Sequence, residues 1–422
     1  MLEELQIQRF KSIVNADLKF GKLNIFIGTN ASGKSNFFDA LRVMQGMGYG
    51  LTVDEIFNGK AKTSSSLVWQ EIRGGSEWAV YKPNTVRPYK GKSNEEKNVF
   101  SFNSKWKLGG RGDRFTNYDY KFSLNPSRGH VIREALTVNT VNPIYESSSK
   151  SNGIMHPVTV WTDKPGKLPI LHFDRNKPVL HQVLDNKEAG AALNREKGIS
   201  RFASVLGDIQ KINLEPNILR QPSRQGKAQR MGEGGENFAA VINNIIRQKD
   251  KKEALSKWLQ LLTPTDIEDI KPLKTKIGDI YFGVKEGKKT VYAPSLSDGT
   301  LRFAALLAAL FQPSMPRMLL LEEIENGIHP TRLKLLAELI QSRAEKSISQ
   351  IFITTHSPLL LAWLDRSLYD HIFFCYRMDD GSSRIKPLTE IPHLLNAIKK
   401  FPVSELFAEG WLESVINKEE KK

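Results

Sequence analysis

Eight residues, Gly28-Thr29-Asn30-Ala31-Ser32-Gly33-Lys34-Ser35, restrict the fold of this chain more than any others, because they meet the pattern G-x-x-x-x-G-K-[ST] at every fixed position. The apolar run Leu23-Asn24-Ile25-Phe26-Ile27 before them reads as a short buried strand, and Asn36 to Met44 after them carries apolar residues at helical spacing. A glycine-rich turn between strand and helix lets successive backbone N–H groups face phosphate oxygens, and the helix N-terminus adds a positive dipole end. The stretch therefore predicts a nucleoside-triphosphate cradle. Its nucleotide-binding residues are expected to be Gly28, Asn30, Ala31, Ser32, Gly33, Lys34, Ser35 and Asn36. Lys34 is expected to reach the β and γ phosphates and Ser35 to hold Mg²⁺.

At 422 residues the chain has room for two or three domain-sized units, or for one large α/β domain carrying an insertion. Its net charge of +15 favours an anionic partner, with nucleic acid ahead of a membrane surface because no basic amphipathic helix stands out. A solvated, lysine-rich surface explains the same charge equally well. The single cysteine, Cys375, sits in the apolar run Ile372-Phe373-Phe374-Cys375-Tyr376 and reads as a small core residue. The segment Met1 to Leu5 has neither a basic nor an apolar leader region, and no apolar run reaches membrane-spanning length. These features lead us to expect a cytoplasmic protein with no membrane partner.

Leu5 to Phe10 and Ala16 to Phe20 alternate like a pair of strands. From Ser66 to His172 the pattern turns to short aromatic-rich runs, such as Leu67-Val68-Trp69 and Trp78-Ala79-Val80-Tyr81, which predicts an antiparallel β insertion. The middle of that insertion, Lys82 to Arg114, is rich in Lys and Arg. With Phe100, Phe102, Trp106 and Phe115 nearby, it is compatible with phosphate contacts beside exposed rings, or with solvated hairpin loops. Lys187 to Trp258 reads as helical, interrupted by a polar, mobile loop from Gln221 to Gly235, with a helix restarting at Glu236. The tail Lys418 to Lys422 is expected to fray.

A second phosphate-facing candidate is Ser295-Leu296-Ser297-Asp298-Gly299-Thr300, directly before the helical run Leu301 to Phe311. Taken alone, it reads first as helix capping. Met318-Leu319-Leu320-Leu321-Glu322-Glu323 follows, an apolar strand delivering two carboxylates at its C-terminal end, where α/β sheets place ligands. One acid there can coordinate Mg²⁺ with the P-loop serine, and its neighbour can polarise an attacking water. The next strand, Gln350 to Thr355, delivers His356, whose neutral imidazole can contact the γ phosphate or that water.

In sequence and spacing, Gly28 to Ser35, Ser295 to Thr300, Leu319 to Glu323 and His356 resemble the Walker A, signature, Walker B and switch-histidine motifs of ABC-type ATPases. The match is to the SMC/RecF/OLD-like branch of AAA-family (AAA_21-like) ATPases. Arg9-Phe10-Lys11-Ser12, Glu325 to Pro330 and Thr354 to Pro358 look like that branch in particular. The resemblance implies an α/β, ABC-type P-loop ATPase head with a mixed central sheet, an antiparallel β insertion and a helical lobe. It divides the chain into residues 1–65 (N-terminal head), 66–175 (β insertion), 176–294 (helical lobe), 295–395 (C-terminal head) and 396–422 (helical extension). It further implies two heads, as a homodimer or within a higher oligomer, sandwiching ATP and Mg²⁺, with Ser297 and Gly299 of each acting in trans on the other's nucleotide. In this scheme Ser35 and Glu322 hold the metal, Glu323 is the general base and His356 the switch.

The chain departs from the common pattern in having Glu322 where Asp is usual, Asp298 and Thr300 within the signature, and no assignable Q-loop glutamine. No long heptad pattern supports an SMC tether, and the residues after His356 carry no Asp-x-Asp, His/Asn or Cys/His cluster of a nuclease. The resemblance therefore suggests an ATPase that regulates, or senses for, a separately encoded effector nuclease in bacterial anti-phage defence. A RecF-like DNA-binding ATPase of repair and recombination is the alternative. A non-hydrolysing scaffold is a third reading, disfavoured by intact Lys34, Glu323 and His356.

Overall fold

The computed structural model describes residues 1–60, 69–82, 98–109, 115–139, 142–148, 153–161, 170–187, 189, 196–224, 226, 228–262 and 267–420. In chain order the elements that matter below begin with β1 (Leu2–Phe10), β2 (Ile13–Lys19), β3 (Leu23–Ile27) and α1 (Lys34–Tyr49). Six strands follow: β4 (Phe100–Gly109), β5 (Phe115–Asn125), β6 (His130–Val138), β7 (Pro143–Ser147), β8 (Met155–Val160) and β9 (Leu171–Asp174). Next come α2 (Glu196–Gly207), β10 (Ile209–Ile212), α3 (Phe238–Ile245), α4 (Lys249–Leu262) and α5 (Asp298–Phe311). The last are β11 (Met318–Leu321), α6 (Leu333–Lys346), β12 (Gln350–Thr355), β13 (Ile372–Arg377) and β14 (Ser383–Pro387).

The described residues fall into two compact units. The first comprises Met1–Gly21, Gly28–Ile209 and Phe374–Lys386, and the second Lys22–Ile27, Gln210–Phe373 and Pro387–Lys422.

In the first unit the strands lie in the order β14-β2-β1-β4-β5-β6-β7-β8-β9. The β2–β14 pair is parallel and the others are antiparallel, so the sheet is mixed. Burial alternates along β4 and β6, as expected where one sheet face meets the core and the other water. The core face is aromatic: Phe10 meets Phe100 and Phe102 edge to face, and Tyr118 stacks on Phe202 of α2 with centroids 4.8 Å apart. Helix α1 is buried along nearly its whole length and stops at Gly50, whose left-handed conformation returns its N–H to the last turn.

In the second unit the strand order is β10-β11-β12-β3, and the β11–β12 and β12–β3 pairs are parallel. Every residue of β3, β11 and β12 is buried. This explains why their sequences are unbroken apolar runs and not alternating ones: parallel strands are covered on both faces. Helix α5 is buried from Thr300 onward except at Arg302.

The strand expected over Gln350–Thr355 is β12, residue for residue, and the acids Glu322 and Glu323 follow β11 directly. Three rings expected to be exposed are not: Phe100, Phe102 and Trp106 are buried, because they point to the core face of β4. Phe115 is exposed, with the Lys107 ammonium 4.7 Å from its ring centre. Most of the basic stretch Lys82 to Arg114, together with Leu67 and Val68, lies outside the described residues. Trp78 to Tyr81 forms a turn and a single bridge, Phe10 with Val80, in place of the expected strand. The stretch read as helical between Lys187 and Trp258 also carries β10, whose four residues are too few for apolar periodicity to reveal. No helix among the described residues is long and apolar enough to cross a membrane.

Candidate active site

The P-loop belongs to the first unit. Gly28 and Gly33 have φ of 151° and 109°, and a Cβ on Gly28 would lie 2.2 Å from the Cys375 carbonyl oxygen, so no larger residue fits there. Lys34 is buried and donates to the Gly28 and Thr29 carbonyls at 2.7 and 2.8 Å, which folds its side chain back over the loop. Helix α1 begins with no side-chain cap and no acid in its first turn. With no side-chain cap and no acid there, its first turn and its dipole favour binding phosphate. Ala31, at φ 63°, and the buried Ser32 complete the turn, while Ser35 and Asn36 are half-buried on the first turn of α1.

The segment Arg9 to Ser12 braces this loop. Asp39 of α1 is buried between the Lys11 ammonium at 2.5 Å and the Arg73 guanidinium at 3.2 Å. The Ser12 hydroxyl meets Ser383 and accepts from the Asn36 amide, both at 2.7 Å. Cys375 is buried, which pushes its thiol up to about 12, so it stays protonated and acts as packing.

The acids and the histidine belong to the second unit. Glu323 takes a left-handed conformation, φ 48°, which a residue with a Cβ adopts at a cost of about 1 kcal/mol. Its amide donates to Thr354 Oγ1 at 3.1 Å, and its Oε2 accepts from Asn326 Nδ2 at 2.6 Å. Its Oε1 lies 3.4 Å from His356 Nε2. Because β11 and β12 are parallel neighbours, their C-terminal ends bring Glu323 and His356 to one place, and both remain partly open to solvent. The Glu325 carboxylate accepts from the His356 amide at 2.6 Å and fixes the turn that carries the imidazole.

Glu322 has a different partner. Its carboxylate is buried against Lys211 of β10, 3.2 Å away, and Lys211 also reaches Glu233 at 3.0 Å. No cluster of three or more His, Cys, Asp or Glu suited to a metal occurs among the described residues. Mg²⁺ takes hard oxygen ligands, one or two from a protein and the rest from phosphates and waters. The Glu322 carboxylate and the Ser35 hydroxyl are oxygen donors of that kind.

Ser297 caps α5: its hydroxyl accepts from the Thr300 amide at 3.2 Å. Gly299 touches the loop after Glu323 so closely that a Cβ would lie 2.4 Å from the Gly327 carbonyl oxygen. Arg220 holds the same turn, 2.7 Å from Asp298 and donating to the Leu296 carbonyl at 3.0 Å. Sequence reasoning missed Lys211 and Arg220, and it gave no role to Asn326 and Thr354, although both fall in stretches it singled out. Lys211 left one trace, a lone ammonium inside the run Ile209-Gln210-Lys211-Ile212.

The family model described as "AAA domain, putative AbiEii toxin, Type IV TA system" (AAA_21) matches residues 23–362, most of the chain. The chain belongs to the AAA_21 family. It is an ATPase of that family. An "ATP/GTP phosphatase" of Helicobacter pylori (strain ATCC 700392 / 26695) is 21% identical over 392 residues, covering 90% of this chain and 93% of that protein. Among solved structures, an Smc head bound to the C-winged helix domain of ScpA matches 91% of this AAA_21 chain and 97% of its own, at 15% identity and a TM-score of 0.51. The fold is accordingly the α/β, ABC-type head shared with SMC proteins.

Proposed function

We propose that this AAA_21 ATPase hydrolyses ATP with Glu323 as general base and His356 as the group that senses the γ phosphate. The observation that carries the reading is the convergence of the two side chains, 3.4 Å apart, at the ends of adjacent parallel strands. Glu323 polarises the attacking water, and Asn326 holds its second oxygen, which leaves the first directed at His356. Lys34 and the backbone of Gly28 and of Asn30 to Asn36 bind the triphosphate. Mg²⁺, held by Ser35 and Glu322, would neutralise charge developing on the β and γ oxygens. Ser297 and Gly299 act on the nucleotide of a second head, so that ATP joins two copies. Support for a role in trans comes from Ser297 and Gly299 lying at an exposed or half-exposed helix start, where a second subunit can reach them.

The biological reading we favour is a cytoplasmic regulator, or sensor, for a separately encoded effector nuclease in bacterial anti-phage defence. The toxin and toxin–antitoxin wording of the family description is compatible with it. The name of the Helicobacter relative supports nucleotide hydrolysis. The net charge of +15 favours a second reading, a RecF-like DNA-binding ATPase. Both are tested by tagging Glu323→Gln protein, purifying it from its native cells with ATP present, and identifying what accompanies it. A stoichiometric nuclease or other toxic effector is the expected result. Duplex DNA with repair factors and no effector would replace the first reading with the second.

A further inference from the structure

Lys211 is a buried cation shared between two carboxylates, one of which is the acid assigned above to the metal. Its ammonium lies 3.2 Å from Glu322 and 3.0 Å from Glu233, and the three side chains are 7, 8 and 26% exposed. Backbone pairing fixes this arrangement. The Ile212 carbonyl accepts from the Glu322 amide at 3.1 Å, and the Asn213 amide donates to the Glu233 carbonyl at 2.8 Å. The backbones of both acids are thus tied to the strand that carries the lysine and to the residue after it.

We propose that Lys211 is a positioning residue that sets how strongly Glu322 holds the nucleotide's metal ion, with Glu233 as the second resting place for its charge. The Lys211 ammonium lies against both carboxylates. A dication approaching Glu322 therefore meets a carboxylate already partly neutralised, which limits the metal's affinity. As the metal takes the Glu322 oxygen, the ammonium keeps its contact with Glu233, so no buried cation is stranded. Glu233 makes the exchange reversible. The arrangement converts tight metal binding into moderate binding, as a site that must release its product nucleotide requires.

Opposite signs distinguish this from a packing role. Removing the ammonium strengthens the metal's attraction to Glu322. Removing Glu233 gives the ammonium wholly to Glu322 and weakens it. A general loss of packing would move both variants the same way.

The inference rests on Glu322 being the metal-side acid, and the experiment separates the two claims. The affinity of the full chain for a fluorescent ADP is measured with EDTA and with saturating Mg²⁺, and the ratio of dissociation constants reports the metal's contribution without any turnover. The ratio should rise about five-fold in Lys211→Met, fall about three-fold in Glu233→Gln and stay within about two-fold in Lys211→Arg. In Glu322→Gln it should approach one. If Glu322→Gln collapses the ratio while Lys211→Met leaves it unchanged or lowers it, the inference alone is overturned. An unchanged ratio in Glu322→Gln overturns the metal assignment and the inference with it. Should Lys211→Met fail to fold, Glu233→Gln decides: a ratio that does not fall is the contrary result.

Discussion

Glu134 in the first unit and Glu322 in the second are both buried carboxyl groups, and they are partnered in opposite ways. Glu134 accepts from the hydroxyls of Tyr120 and Tyr145 at 3.0 and 2.8 Å and from the amides of Val179 and Leu180 at 2.7 and 2.9 Å. Burial raises its pKa and the four donors oppose the rise, and no cation among the described residues pairs with it. Glu322 lies against the Lys211 ammonium, which a second acid shares. Neutral donors in fixed places make a permanent joint between β6, its neighbouring strands and the turn at Val179. A shared cation makes a contact that another cation can enter. The corner after β11 differs again: it keeps a strained, half-exposed Glu323 beside His356.

Glu323→Gln should lower ATP turnover by about 10²–10⁴-fold, the range of a lost general base, with the unfolding midpoint unchanged. A variant that keeps turnover would remove the functional half of the contrast. On the structural side, Glu134→Ala strands two tyrosine hydroxyls and two amides and should cost roughly 4 kcal/mol in urea unfolding. Glu322→Gln leaves Lys211 its second carboxylate and should cost only about 1 kcal/mol. Equal costs would mean that the two acids do the same job.

His156 sharpens the picture of the insertion. It is fully buried, neither ring nitrogen has a hydrogen-bond partner among the described residues, and burial beside Arg175 and His130 lowers its pKa from 6.5 to about 4. The unfolded chain therefore takes up this proton at a pH where the folded chain does not. Stability should fall as pH drops below 6.5, by about 3 kcal/mol in total once pH is below 4. His156→Phe should remove that component of the pH dependence, as read by unfolding at pH 7 and pH 4.5. The smallest effect is at the start of α5, where Ser297→Ala removes a cap and should cost about 1 kcal/mol of stability. A much larger cost would give Ser297 a structural weight that its exposed position does not explain.

The parts of the site that are local in sequence were legible there. The spacing Gly28 to Ser35, the apolar run ending at Glu322 and Glu323, and β12 ending at His356 each follow from a few adjacent residues. The contacts that join distant segments were not. Nothing beside Lys211 in the chain points to Glu322, and nothing beside Glu134 points to Tyr145 or to the amides of Val179 and Leu180. Aromatic residues misled for a related reason. Phe100, Phe102 and Trp106 stand among basic residues in sequence, but alternation along β4 turns them into the core. In the second unit, by contrast, strands buried on both faces carry their burial in plain composition, so β3, β11 and β12 could be read directly.

We propose that ATP joins two heads and that Glu323-dependent hydrolysis parts them, and the most direct measurement is the mass of the Glu323→Gln protein in solution by sedimentation, with ATP and with ADP. A dimer in ATP that reverts to monomer in ADP, and that Ser297→Arg abolishes without loss of nucleotide binding, is the predicted result. A monomer in both nucleotides would contradict the account.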